Sequence, residues 1–121
     1  MKRLIAALGF MLLASPAFAI TQISTAPIIV AGANRAGCQF TNVSSKSITV
    51  DVTLFEGTGM ALAHGQFTDG PFQSDGIENT PNGATEFLSC VFLFSGSAKN
   101  IRATIEVLDS NVLPLVALPA S

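Results

Sequence analysis

Few residues in this chain have the types and spacing that chemistry requires. The most suggestive are the carboxylates of one turn-rich stretch: Asp69, Asp75 and Glu78. Hard cations favour oxygen clusters of this kind, so the three are weak candidates for a calcium-type site. The ordered Asp-x-Asp-x-Asp-Gly spacing is absent, and Asp fills turns for backbone reasons of its own. Solvated turn residues and no bound metal are therefore expected. His64 is the single histidine. A Ser-His-acid site needs a serine and a carboxylate gathered around it, but His64 stands beside Gly65 and no Gly-x-Ser-x-Gly elbow occurs. Zinc asks for three or four N, S or O ligands, and with the cysteines oxidised no such set is visible. No glycine-rich phosphate loop opens a helix. The expectation is a protein that is not an enzyme and has no cofactor.

The two cysteines, Cys38 and Cys90, acquire their meaning from the first residues of the chain. Lys2 and Arg3 precede an apolar run over residues 4–13, Ser15-Pro16 ends that run, and Ala17-Phe18-Ala19 matches the small-x-small cleavage pattern. The apolar run is shorter than the ~20 residues of a spanning helix. Residues 1–19 are thus expected to be a cleavable signal peptide whose helix is no part of the fold. The mature protein then starts at Ile20, lacks the cysteine needed for lipid attachment, and is periplasmic or secreted with no membrane association after cleavage. In an oxidising compartment a cysteine pair reads as one disulfide. Neither cysteine has a neighbouring His, Lys or Arg to make it a reactive thiolate. Closing a loop of this length is worth about 4 kcal/mol in the chain-entropy model.

Removal of nineteen residues from 121 leaves 102, enough for one domain over residues 20–121. Four basic residues (Arg35, Lys46, Lys99, Arg102) then face eight acids, a net charge of −4. No basic stripe remains to neutralise phosphates, so nucleic acid is not an expected partner. Aromatic residues are Phe only, with neither Trp nor Tyr, and sugar-stacking platforms are missing with them.

The elements that must position these residues are strands. Residues 47–56 alternate strictly, with Ile48, Val50, Val52 and Leu54 on one face and Thr49, Asp51 and Thr53 on the other. Residues 100–109 repeat the pattern with Ile101, Ala103, Ile105 and Val107 inward. Residues 87–94 are apolar on both faces, as expected of a central strand with both sides covered. The short Ser95-Gly96-Ser97 link makes 86–108 read as an antiparallel hairpin. Further strands are expected over 37–43, with Cys38 and Phe40 on one face, and over 26–31. Residues 60–67 are expected to run back beside 47–56, and a short strand over 76–79 to sit between Asp-Gly and Asn-Gly turns.

Short strands at this spacing predict an all-β fold, a small antiparallel β-sandwich. Cys38 on an early strand and Cys90 on a late one suit an inter-sheet disulfide. The arrangement resembles an immunoglobulin-like or fibronectin-like domain over roughly residues 26–110. It lacks the buried Trp, and Leu88 stands where the tyrosine two residues before the second cysteine would be.

Two features suggest binding. Residues 112–121 form an apolar edge strand or tail in which Leu113, Leu115, Val116 and Leu118 are candidate contacts, and Pro114 and Pro119 restrict it to a sheet edge. Such a strip either closes its own sandwich or docks a protein partner or second copy by strand addition. The loop over 68–85 is polar and glycine-rich with Phe72 and Ile77 embedded. Asn42-Val43-Ser44 also fits the glycosylation sequon. The function expected is an exported, non-catalytic module for protein–protein interaction or envelope structure. The alternative is a small periplasmic ligand- or cation-binding protein that uses the 68–85 loop.

Overall fold

Alternation of buried and exposed side chains dominates the architecture. The computed structural model describes residues 19–30, 34–79, 86–108 and 114–121. Among them lie β1 (Ile20–Ser24), β2 (Ile28–Val30), β3 (Arg35–Asn42), β4 (Ile48–Glu56), β5 (Ala61–Asp69), β6 (Ser74–Asn79), β7 (Glu86–Ser95), β8 (Ile101–Leu108) and β9 (Pro114–Pro119). A 3-10 turn, Ala98–Asn100, is the sole helical element among the described residues. The proposed signal segment lies outside them apart from Ala19.

The strands form two antiparallel sheets. In the first, β1 and β2 share one side of β7, and β4 then β5 continue on the other; in the second the order is β6-β3-β8-β9. β4 turns Ile48, Val50, Val52 and Leu54 into the core, and β8 does the same with Ile101, Ala103, Ile105 and Val107. β5 runs back antiparallel to β4, and β6 covers the strand expected over 76–79 with two further residues at its start. Phe40 of the second sheet meets Phe92 and Phe67 of the first at ring-centroid distances of 6.5 and 6.0 Å. Beside them Cys38 of β3 and Cys90 of β7 form a disulfide, with Cα atoms 5.8 Å apart, that staples one sheet to the other.

Three local expectations are corrected. Residues 86–108 are not a hairpin: β7 pairs with β1, β2 and β4, whereas β8 pairs with β3 and β9 in the opposite sheet. The link that looked like a hairpin turn is an arch. Gly96 takes φ +113°, Ser97 accepts a hydrogen bond from the Lys99 amide, and the 3-10 turn carries the chain across the sandwich. Secondly, β7 is central but covered on one face only. Leu88, Cys90, Phe92 and Phe94 are buried, while Phe87 and Leu93 are 57% and 37% exposed on the outer face. Thirdly, the chain enters one strand earlier than the 26–31 segment implies, because β1 already pairs with β7 from Ile20 to Ser24.

The two edges where the sheets meet are closed differently. At the β1–β9 edge the main chain laces them: Ser24 and Ser121 exchange reciprocal N–H to C=O bonds of 3.0 and 3.1 Å. Thr25, at the break between β1 and β2, bonds Cys90 twice, through its own amide at 3.0 Å and its hydroxyl at 2.9 Å. At the β5–β6 edge side chains do the work. Ile77 fills the space over Gly65, where a Cβ would come within 2.9 Å of it, and the Asn79 amide donates to the Leu62 carbonyl at 3.0 Å.

Candidate functional site

Among the described residues, the outer face of the first sheet carries Ile20, Ile29, Phe87 and Leu93, four of the large exposed apolar side chains. Because β7 is apolar on both sides, burial of its inner residues leaves Phe87, Val91 and Leu93 pointing outward with Ser89 and Ser95. Ile29 of β2 lies directly opposite Phe87, and the two are 58% and 57% exposed. Directly opposed apolar side chains on adjacent strands reinforce each other. Here they do so against solvent. Phe55 of β4, opposite Ser89, extends the patch, and a groove of about 520 Å³ runs past Pro27, Phe55, Gly57, Phe87 and Ser89. Among the described residues Glu56 is the only charged one along that groove. At the far end of the face, Ile20 and Leu93 border Asp51 and Gln66. Exposed apolar surface of this contiguity is a feature of interaction sites.

On the same face His64 of β5 bonds the Asp51 carboxylate across the β4–β5 ladder, and both residues are open to solvent. Thr53 faces His64 in register. Among the described residues no serine or cysteine shares a hydrogen bond with the imidazole. Its geometry is that of a diagonal cross-strand hydrogen bond. Sequence inspection misses it because Asp51 and His64 are related only through the register of the two strands.

The three carboxylates of the turn-rich stretch do not gather: Asp69 and Asp75 lie together and Glu78 stands apart. Glu78 points outward and pairs with Arg35 at 3.3 Å. Asp69 is 5% exposed at the end of β5, and its Oδ2 has no hydrogen-bond donor among the described residues. Its carboxyl is held above the ordinary aspartate value of 3.8, first by burial and then by the hydrogen bond and the charge of the nearby Asp75. Among the described residues no three His, Cys, Asp or Glu side chains converge on one point.

The other candidates divide. Phe72 is 76% exposed on the tip between β5 and β6, in the left-handed region at φ 62°. Ile77 instead packs against the core. β9 is an edge strand paired to β8, with Val116 opposite Val107 and Leu118 opposite Ile105. Leu118 packs on the core. Leu113 lies outside the described residues, and Leu115 and Val116 are described through their backbone alone. The stretch expected as a loop over 68–85 is largely strand, because Thr68 and Asp69 end β5 and residues 74–79 form β6 with only a short turn between them. Residues 80–85 lie outside the described residues. The sequon is occluded: Asn42 is fully buried, and its amide donates to the Lys46 and Asp69 carbonyls at 2.6 and 3.0 Å while its oxygen accepts from Ser44. It braces the β3–β4 turn and offers no nitrogen to a sugar.

Among the described residues no helix is long and apolar enough to cross a membrane. No family model, curated protein or solved structure matches the chain.

Proposed function

We propose that this protein is an exported, non-catalytic β-sandwich module, periplasmic or secreted, that docks a protein partner through the outer face of β2, β7 and β4. The observation that carries this reading is the directly paired, half-exposed Ile29 and Phe87 beside the apolar groove at Phe55. Burying such a pair against a partner would gain roughly 1–2 kcal/mol per side chain, because a little over half of each is still open to solvent. Export is supported by the Cys38–Cys90 disulfide, which persists in oxidising compartments.

The sandwich is immunoglobulin-like in this reading, with its terminal strands exchanged. β3, β4, β5, β6 and β7 alternate between sheets as strands B, C, C′, E and F of a variable-type domain do, and the disulfide links the B and F equivalents. β8 then lies beside β3 where a first strand belongs. β1 and β2 lie beside β7 where a last strand belongs.

The test replaces Ile29 by Thr and Phe87 by Ser together, both on the surface and both compatible with strands. The native protein should run in a higher-mass complex when sized from extract of the cells that export it, and the double variant should unfold within a few degrees of wild type yet lose that complex. A complex that survives the double variant unchanged would remove the docking role from this face.

A further inference from the structure

We propose that the carboxylates of Asp69 and Asp75 form a binding site for a hard divalent cation at the β5–β6 edge. The site is independent of the docking face, which lies toward the opposite edge of the first sheet. The argument begins with strand parity. On β5, Phe67 and Asp69 pair with Val50 and Ile48, both buried, so both point between the sheets. On β6, Ile77 and Asp75 pair with Cys38 and Phe40, also buried, and point inward as well. Each edge strand therefore sets an inward carboxylate two residues from an inward apolar side chain. Asp69 comes after Phe67 on β5 and Asp75 before Ile77 on β6, at the end where the two strands are joined. Two facing strands with the same break in their pattern place acid against acid where hydrophobic contact would otherwise continue.

No basic side chain among the described residues neutralises that pair, whose members share a hydrogen bond only with each other. Asp69 is 95% removed from solvent, the complement of its 5% exposure, and its Oδ2 meets no donor. The Asn42 amide, which reaches the Asp69 backbone, is spent on the Lys46 and Asp69 carbonyls. The ion pairs present, Arg35–Glu78 and His64–Asp51, engage other carboxylates. An isolated buried carboxylate is costly unless it is paired or coordinates a metal. The partly exposed Asp75 leaves one side of the pair open to water. That donor set, two carboxylates with solvent completing the shell, suits magnesium- or calcium-type ions and offers nothing to a metal that needs nitrogen or sulfur. With so few protein ligands the affinity belongs to the weak extracellular class, Kd roughly 0.1–1 mM.

The experiment follows thermal unfolding of the disulfide-bonded protein at neutral pH, first in chelator and then with increasing CaCl₂ or MgCl₂, against NaCl of matched ionic strength. Wild type should gain roughly 4–8 °C at about ten times Kd, saturating with the divalent salt alone. Asp75→Asn should lose most of the gain. Asp69→Asn should lose it entirely and begin from a higher midpoint in chelator, whereas Glu78→Gln should keep the full response. Calorimetric titration of wild type gives the same answer without relying on any variant. An unmoved midpoint, a rise equal to that in NaCl, or a full response in Asp69→Asn would each overturn the site.

Discussion

The two edges of the sandwich solve one problem in opposite ways. Where β1 and β9 meet, the sheets are joined by main-chain hydrogen bonds, reciprocal between Ser24 and Ser121, with Thr25 bonding Cys90 from the break before β2. Where β5 and β6 meet, closure depends on side-chain identity: Ile77 over Gly65, Asn79 on Leu62, and the Asp69–Asp75 pair at the end. Main-chain lacing tolerates most residue types and is indifferent to pH. Side-chain closure is sensitive to volume and to ionisation, and so can respond to its surroundings. The difference teaches that the edge carrying titratable groups is also the one whose stability conditions can tune.

The largest effect that should separate the edges is steric. A Cβ at Gly65 would stand 2.9 Å from both Ile77 Cγ2 and the Phe67 ring. Gly65→Val should therefore cost about 1–3 kcal/mol by overpacking, and hydrogen exchange should accelerate in β5 and β6 while β1 and β9 stay protected. At the other edge, Thr25→Val leaves the Cys90 amide without its side-chain acceptor. A buried donor left unsatisfied costs about 1–3 kcal/mol, and the lower half of that range fits because the main-chain bonds at Ser24 remain. Here exchange should accelerate in β1 and β2. Equal fraying of both edges by either variant would erase the comparison.

The smallest expected effect is electrostatic and sharpens the contrast most. Burial and Asp75 raise the Asp69 pKa above its ordinary 3.8, so the folded state holds that proton more tightly than the unfolded chain does. The resulting stability is fully present below the unfolded value and is lost as pH rises through the folded value. Chemical denaturation midpoints measured in chelator should accordingly fall on the alkaline side of 3.8 in wild type. In Asp69→Asn that component of the pH dependence should be absent. A slope retained in the variant would assign the effect to another group.

Much of this fold is legible in the sequence where a strand has one wet and one dry face. β4 and β8 alternate strictly and are buried as their pattern requires, and the cysteine parity on β3 and β7 leads directly to the inter-sheet bridge. β1 is obscure because its apolar residues, Ile20 and Ile23, fall three apart and break the period of two. The hairpin expected over 86–108 fails because a short link reveals only that two strands are consecutive. Gly96 and the 3-10 turn then decide that they lie in different sheets. The apolar outer face of β7 misleads for a related reason: continuous hydrophobicity signals covered surface, whereas Phe87 and Leu93 stand partly open to solvent. Asp69 was visible as the first residue of an Asp-Gly turn, but its parity with Phe67 places it inside the sandwich.

A photo-reactive amino acid at position 87, introduced in the cell that exports the protein, tests the docking face most directly. Irradiation should yield a discrete adduct, with a protein partner or a second copy, while the same probe at Thr104 on the outer face of β8 yields none. A correctly folded protein that gives no adduct at position 87, or adducts indistinguishable from those at position 104, would contradict the account.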